Sequence, residues 1–279
     1  MELWYKEEHS PNVKFAIKVD RHIYSKTSVF QRIDIMESNE FGKFLTLDSS
    51  MMLTEKDEFI YHEMMVHVAM AVNQEAERIL VIGGGDGGAV RELTKYESVK
   101  EIHLVEIDEM VVEACKNWLP QTACRLDDPR VHIYYEDGLR FIRGKADYYD
   151  LIIVDSTDPF GPGEGLYTKA FYGNCFKALT DKGILINQHE SPYYQVHAES
   201  LQRASVHLKA CFPITKFYQA HIPTYPTGYW LFGFASKHYD PIADFDEKKW
   251  TERDLLTDYY NTDLHKGAFA LPNYIKKLL

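Results

Sequence analysis

The chain has 279 residues, of which 45% are apolar and 26% charged, enough to bury a substantial core and without the polar excess of disorder. Its formal charge of −11 disfavours a nucleic-acid partner held by an electropositive surface and fits a cationic ligand better. Cys115, Cys124, Cys175 and Cys211 form no C-x-x-C pair, no run of about 18 apolar residues occurs, and the first residues lack a leader-like apolar core, so a reduced, cytoplasmic protein without zinc or membrane span is expected.

From Lys14 to Leu53, three segments alternate like strands: Phe15-Ala16-Ile17-Lys18-Val19, Phe30-Gln31-Arg32-Ile33-Asp34-Ile35 and Lys43-Phe44-Leu45-Thr46-Leu47. They predict a small antiparallel β-domain over residues 1–54. Glu58 to Val72 carries apolar residues at helical spacing and opens a second domain over 55–279. There, strands over Arg78–Ile82, Glu101–Ile107, Val131–Tyr135, Tyr149–Asp155 and Gly183–Gln188 alternate with helical stretches. That alternation predicts an α/β fold with a mostly parallel, doubly wound sheet. Past Pro213, Ile214–Ala220 and Tyr229–Ala235 flank the turn-rich Ile222–Gly228 and predict a closing antiparallel hairpin.

The first strand of the second domain runs directly into Gly83-Gly84-Gly85-Asp86-Gly87-Gly88, a G-x-G-x-x-G turn at Gly83, Gly85 and Gly88. Such a turn lets a ligand approach a helix N-terminus closely. About 20 residues on, Glu106 ends the second strand, where a carboxylate can accept both hydroxyls of a ribose. The third strand ends in Glu136-Asp137-Gly138 and offers an acceptor for an adenine amino group. Three consecutive strand ends thus compose an adenosine site. A nicotinamide dinucleotide would fit the first two features, but Asp86 inside the glycine run would face its pyrophosphate unfavourably. A nucleoside bearing a cationic sulfonium suits that acid.

The fourth strand ends in Asp155-Ser156-Thr157-Asp158-Pro159, placing two acids three apart in a turn. With Asp86 nearby in the expected fold, three acids share one crevice, and ammonium groups are their natural counter-charge. The glycine and proline content of Thr157–Tyr167 suits a lid that closes over both ligands.

At this point the sequence resembles the spermidine synthase family over nearly its whole length. The resemblance rests on Glu55–Met64 (with Tyr61-His62-Glu63), the Gly83–Gly88 run, Asp155–Pro159 with Gly161-Pro162, Leu166-Tyr167 with Phe171-Tyr172, and Ile222–Gly228, in that order. It implies an N-terminal β-domain followed by a methyltransferase-like Rossmann domain. By resemblance, Gln31, Glu106, Asp137, Gly138 and Pro162 contact the nucleoside beside Gly83 and Gly85, and Asp155 accepts the proton. Tyr61, His62, Asp86, Asp158 and Tyr225 line the amine channel, with Trp230 packed beside it. One departure is Leu47-Asp48-Ser49-Ser50, where the family has glycine after the aspartate, which bears on the shape of that turn.

The implied activity is transfer of the aminopropyl group of decarboxylated S-adenosylmethionine to a diamine such as putrescine, by a homodimer or homotetramer with no metal and no further cofactor. Two other readings stay open: a methyltransferase using S-adenosylmethionine itself, and a non-catalytic polyamine-binding protein. Putrescine, cadaverine, agmatine and spermidine are not distinguished as acceptors.

Overall fold

The computed structural model describes residues 2–156 and 161–279. Strands β1 (Leu3–Ser10) and β2 (Val13–Val19) form an antiparallel hairpin, and β3 (Arg21–Thr27), β4 (Arg32–Ser38), β5 (Gly42–Leu47) and β6 (Ser50–Thr54) form a four-stranded antiparallel sheet in chain order. Three of these strands, β1, β3 and β6, were not expected from the sequence. β1 and β3 are rich in charged and polar residues and mostly exposed, and β6 is only five residues long, so apolar alternation gives them little signal.

Asp48 and Ser49 join β5 to β6 with φ of 48° and 70°. Two left-handed residues in a two-residue hairpin loop match the twist of the flanking strands. The tight turn is therefore kept without glycine, and it is braced: Asp48 Oδ1 accepts the Arg32 N–H at 2.8 Å, and the Ser49 carbonyl accepts the Tyr5 hydroxyl at 2.9 Å.

After residues 55–57 comes α1 (Glu58–Val72), and then the alternation of the second domain. In order it consists of β7 (Arg78–Gly83), α2 (Gly88–Leu93), β8 (Glu101–Glu106), α3 (Glu109–Trp118), α4 (Pro120–Ala123), β9 (Val131–Tyr135), α5 (Gly138–Phe141), β10 (Tyr149–Asp155), α6 (Lys169–Ala178), β11 (Leu179–Gln188), α7 (Gln195–Cys211), β12 (Ile214–His221) and β13 (Tyr229–Ser236). The seven strands make one sheet in the order β12-β13-β11-β10-β7-β8-β9, parallel from β11 to β9 and closed at the other edge by the antiparallel β12–β13 hairpin. β11 starts at Leu179 rather than Gly183, because Leu179 already pairs with Tyr149 before a register shift.

The central strands are buried on both faces. In β7, Ile79 and Val81 join one core with α1 while Leu80 and Ile82 join another with α6 and α7, the period of two that a covered parallel sheet requires. The chain runs from β7 outward through β8 and β9, then returns to β10 on the other side of β7. The crevice between the carboxyl ends of β7 and β10 is the topological switch point where doubly wound sheets bind ligands.

α1 is buried along nearly its whole circumference, between the central sheet, the N-terminal sheet and the C-terminal segment. That segment, with α8 (Glu247–Thr251), α9 (Thr262–Ala268) and α10 (Asn273–Lys276), consists of short helices, of which α8 and α9 are capped by Asp246 and Asn261. Polar residues of α1 are consequently paired inside the protein. His67 meets Glu92 at 3.0 Å and the Tyr96 hydroxyl at 2.7 Å. The Glu63 carboxylate accepts three successive backbone N–H groups, from Asp258, Tyr259 and Tyr260, at 2.8, 2.9 and 2.7 Å. No helix among the described residues is long and apolar enough to cross a membrane.

Glu63→Gln leaves a buried amide N–H group facing backbone donors that a carboxylate satisfied. The expected result is a loss of about 2–3 kcal/mol in stability, read as a lowered urea midpoint; an unchanged midpoint would remove Glu63 from the fold's main ties.

Candidate active site

A cleft of about 1030 Å³ opens at the switch point, walled by the carboxyl ends of β7, β8 and β10 and roofed by the N-terminal sheet. Gly83 pairs with Asp155 across the two central strands, so the glycine turn and the fourth-strand acid are adjacent by register. Gly84 has φ +67°, and a Cβ there would lie 2.8 Å from Asp155 Oδ2. At Gly88 a Cβ would lie 2.2 Å from the His62 ring. The glycines thus admit the acid and the imidazole to the turn as well as a ligand.

On one side of the cleft, Glu106 is buried at the end of β8, and its Oε1 accepts the Asp108 N–H at 2.9 Å. Burial, with a smaller push from the Asp108 charge, raises its carboxyl to about 7 against the pull of the Asp108, Gly85 and Ile107 N–H groups. Asp137 lines the cleft and caps α5, accepting the Leu139 N–H at 2.8 Å; the capping and ligand-facing readings of this residue coexist. Gly138 packs against β7, where a Cβ would lie 2.4 Å from Ile82. Gln31 reaches the cleft from the turn between β3 and β4. Pro162 belongs to a short 3-10 segment, Gly161–Tyr167.

On the other side the acids are held differently. Asp155 Oδ1 accepts the Tyr61 hydroxyl at 2.8 Å, while Oδ2 is buried with no hydrogen-bond partner among the described residues. Burial and the neighbouring Asp86 charge raise the Asp155 carboxyl to about 6, opposed by His62 and the Tyr61 bond. Asp86 Oδ1 accepts the Gly88 N–H at 2.8 Å and lies 3.2 Å from His62 Nε2. Burial works against its charge, yet His62 and that N–H bring the Asp86 carboxyl below the usual range.

His62 is the hinge of this arrangement. Its Nδ1 meets Glu58 at 2.5 Å, and Glu58 in turn receives a forked contact from Arg91 at 2.6 and 3.0 Å. Burial alone would neutralise the ring, but Asp86 and Glu58 hold it charged well above its ordinary range. Ligand atoms of His62, Asp86 and Asp155 lie within 4.8 Å of one another, close enough for a cation. Both ring nitrogens face carboxylates, however, so a charged His62 donates and offers a metal no lone pair.

Tyr225 lines the cleft with its hydroxyl donated to the Met52 carbonyl at 2.6 Å, and the loop that carries it is tied to the start of α1 by Asp57, which accepts the Thr224 N–H and hydroxyl at 3.1 and 2.7 Å. Trp230 is one layer back, buried and edge-on to Tyr225 at 4.8 Å, beside the channel rather than in its wall. Asp158 lies outside the described residues, as does the rest of 157–160 within the expected lid. Residue-by-residue reading missed Glu58, Arg91 and Asp108. Glu58 stands four residues before His62 on α1, a helical pairing visible in sequence; the Arg91 contact, 33 residues away, leaves no local trace.

Comparison with known proteins agrees with this geometry. The model of the spermine/spermidine synthase domain matches residues 58–247, and that of the spermidine synthase tetramerisation domain matches residues 3–55. A polyamine aminopropyltransferase of Alkaliphilus oremlandii is 66% identical over 279 residues, all of this chain and 98% of the relative, and one of Clostridium perfringens is 63% identical over the same shares. Among solved structures, a spermidine synthase in complex with the transition-state analogue AdoDATO superposes with a TM-score of 0.97 at 43% identity, covering 99% of this chain and 94% of that one. The spermidine synthase of Thermotoga maritima superposes with a TM-score of 0.94 at 41% identity over the same shares. Full-length identity above 60%, the matched fold and family models over residues 3–55 and 58–247 converge on one assignment: the chain belongs to the spermidine synthase family.

Proposed function

We propose that this aminopropyltransferase uses decarboxylated S-adenosylmethionine as donor and putrescine as acceptor, giving spermidine and methylthioadenosine, without metal or further cofactor. The observation that carries the reading is the buried Asp155 Oδ2 without a hydrogen-bond partner among the described residues, at the strand end between the glycine turn and Tyr61. In this reading Glu106, Gln31, Asp137, Gly138 and Pro162, with the turn at Gly83 and Gly85, hold the nucleoside. Asp86, Asp158, Tyr61 and Tyr225 hold the cationic amine ends, while His62 lines the channel as the cation that keeps Asp86 ionised, with Trp230 backing Tyr225. The match of residues 3–55 to a tetramerisation model supports a homotetramer built on the N-terminal sheets.

The donor's sulfonium already activates its methylene carbon, so the enzyme has to deliver a neutral amine in line with the C–S bond. A diamine arrives as a diammonium. At about 5 Å and an effective dielectric near 20, the sulfonium repels an ammonium by roughly 3 kcal/mol, about two pKa units. Asp155 Oδ2 takes the proton thus loosened. The nitrogen lone pair then forms the C–N bond, the C–S electron pair returns to sulfur, and the positive charge moves from sulfur to the new secondary ammonium. One proton is left on Asp155 for release. Asp86 cannot share this task, because its carboxyl stays ionised and engaged with His62.

The same Asp86 favours the aminopropyl ammonium and opposes an α-carboxylate. Incubation with putrescine and each donor should yield methylthioadenosine from the decarboxylated donor and no S-adenosylhomocysteine from S-adenosylmethionine. Accumulation of S-adenosylhomocysteine with a methylated amine would replace this reading by a methyltransferase.

Asp155→Asn should lower kcat by about 10² to 10⁴-fold while leaving methylthioadenosine affinity intact. The pH profile carries the sharper signature. Asp155 must be ionised to take a proton, and its carboxyl is raised to about 6, so wild-type kcat/KM for putrescine should fall below a break at or under about 6, since a bound sulfonium lowers it further. Above the break the profile should be flat up to the amine's own pKa, near 10. The Asn variant depends on amine that arrives already neutral, so its activity should climb with pH throughout that range. A variant profile parallel to wild type would strip Asp155 of the base role.

A further inference from the structure

Asp108 is a buried acid that the chemistry above does not use: it is 2% exposed and does not line the cleft. Its polar atoms nevertheless meet three parts of the protein. Oδ1 accepts the Met110 N–H at 3.1 Å and caps α3, and the backbone N–H donates to Glu106 Oε1 at 2.9 Å. Oδ2 accepts the Ser28 hydroxyl at 2.6 Å and the Gln31 side-chain N–H at 3.1 Å, both from the turn between β3 and β4. Helix capping needs only one carboxylate oxygen. The second oxygen is spent on the N-terminal sheet, across 77 and 80 residues of sequence.

The turn it holds is built around Ser28. The Ser28 Oγ accepts the Phe30 and Gln31 N–H groups at 3.0 and 3.1 Å, and Phe30 and Gln31 both line the cleft. The tip, Val29, is 93% exposed, so the turn is packed on its Asp108 side and not at its apex.

We propose that Asp108 is the positioning residue of the donor site, fixing the Ser28–Gln31 turn over the cleft through Oδ2 and the Glu106 carboxylate through its N–H. This rests on the reading of the cleft as a nucleoside site. Asp108 touches no substrate; it sets the separation between Gln31 on one lobe and Glu106 on the other, and donor affinity, not the transfer step, depends on it.

The test is calorimetric binding of methylthioadenosine to the full-length protein. Asp108→Asn keeps the backbone contact to Glu106 and an oxygen for the α3 cap, but turns an amide toward Ser28 and Gln31. It should weaken binding about tenfold or more, raise the donor KM in parallel, and leave kcat at saturating donor unchanged. Ser28→Ala, which touches neither α3 nor Glu106, should weaken binding in the same direction by less. The double variant should lose less than the sum of the two single losses, because the Ser28–Asp108 contact is common to both.

Ser28→Ala, which leaves the α3 cap intact, separates positioning from mere helix capping, and a second readout reports the coupling of Asp108 to Glu106. Ribose hydroxyls donate to an ionised Glu106, whose carboxyl is raised to about 7, so wild-type affinity should fall as pH drops through that value. The titratable groups around it are Asp108, Cys115 on α3, Asp86 in the glycine turn, Asp137 after β9 and, facing Asp108 from β3, Tyr24. Removing the Asp108 charge should move that midpoint to lower pH, whereas Ser28→Ala should leave it in place. If wild type does not bind methylthioadenosine, the nucleoside reading itself falls. If it binds and Ser28→Ala binds equally well, or if Asp108→Asn lowers only the melting temperature, the positioning role is overturned; should Asp108→Asn not fold, the Ser28→Ala result decides alone.

Discussion

Four carboxylates stand at or beside one crevice, Glu58 and Glu106 buried, Asp86 and Asp155 half-buried, and an anion shielded from water is tolerated only where something offsets its lost hydration. The protein meets that demand differently at each. Glu58 and Asp86 are given cations, Arg91 and His62, and remain firmly ionised. Glu106 is given backbone N–H groups, which only partly compensate, and its carboxyl rises to about 7. Asp155 is given a single hydroxyl and rises to about 6. The crevice is therefore graded from a fixed carboxylate at the glycine turn to carboxyls raised toward neutral pH at the ends of β8 and β10.

That grading follows from topology. Parallel strands aim their carboxyl ends at one edge, and the return of the chain from β9 to β10 sets Asp155 next to Gly83. α1 then passes beneath the crevice and supplies Glu58, Tyr61 and His62 from successive turns of one helix. The N-terminal sheet closes the opposite wall. The acids of the crevice are thus positioned by different elements, Asp86 by the glycine turn and Asp155 by the end of β10. Asp86 stays ionised against His62, whereas Asp155 is the acid beside it whose carboxyl is raised, to about 6.

The sequence disclosed those parts of the site that sit at element ends. The glycine run, Glu106, Asp137 and Asp155 were legible because each follows an apolar strand, and a residue just past a strand's carboxyl end has a defined place in this kind of fold. The parallel order and the closing hairpin were legible from alternation. What stayed hidden depends on pairs distant in the chain. Glu58 and Arg91 are 33 residues apart, Asp108 and Ser28 are 80 apart, and no periodicity relates them. β1 and β3 escaped notice because their exposed faces are charged, whereas α1 was legible over Glu58–Val72 although it has almost no solvent face to mark. Asp137 shows the limit in another way: capping and binding are not exclusive, and residue type alone gives no grounds for choosing between them.

The three N–H groups that Glu63 receives lie 195 to 197 residues downstream of it. A ribosome delivers them long after α1 and most of the central sheet have emerged, so through most of synthesis the nascent helix carries a carboxylate whose native setting does not yet exist. Until residue 260 is out, that anion favours water over the interior and keeps α1 from settling fully between the two sheets. The helix that furnishes Tyr61 and His62 to the crevice is thus completed by the tail of the chain. The native setting of the helix turn that carries Tyr61 and His62 is thereby completed only when residues 258–260 dock on Glu63.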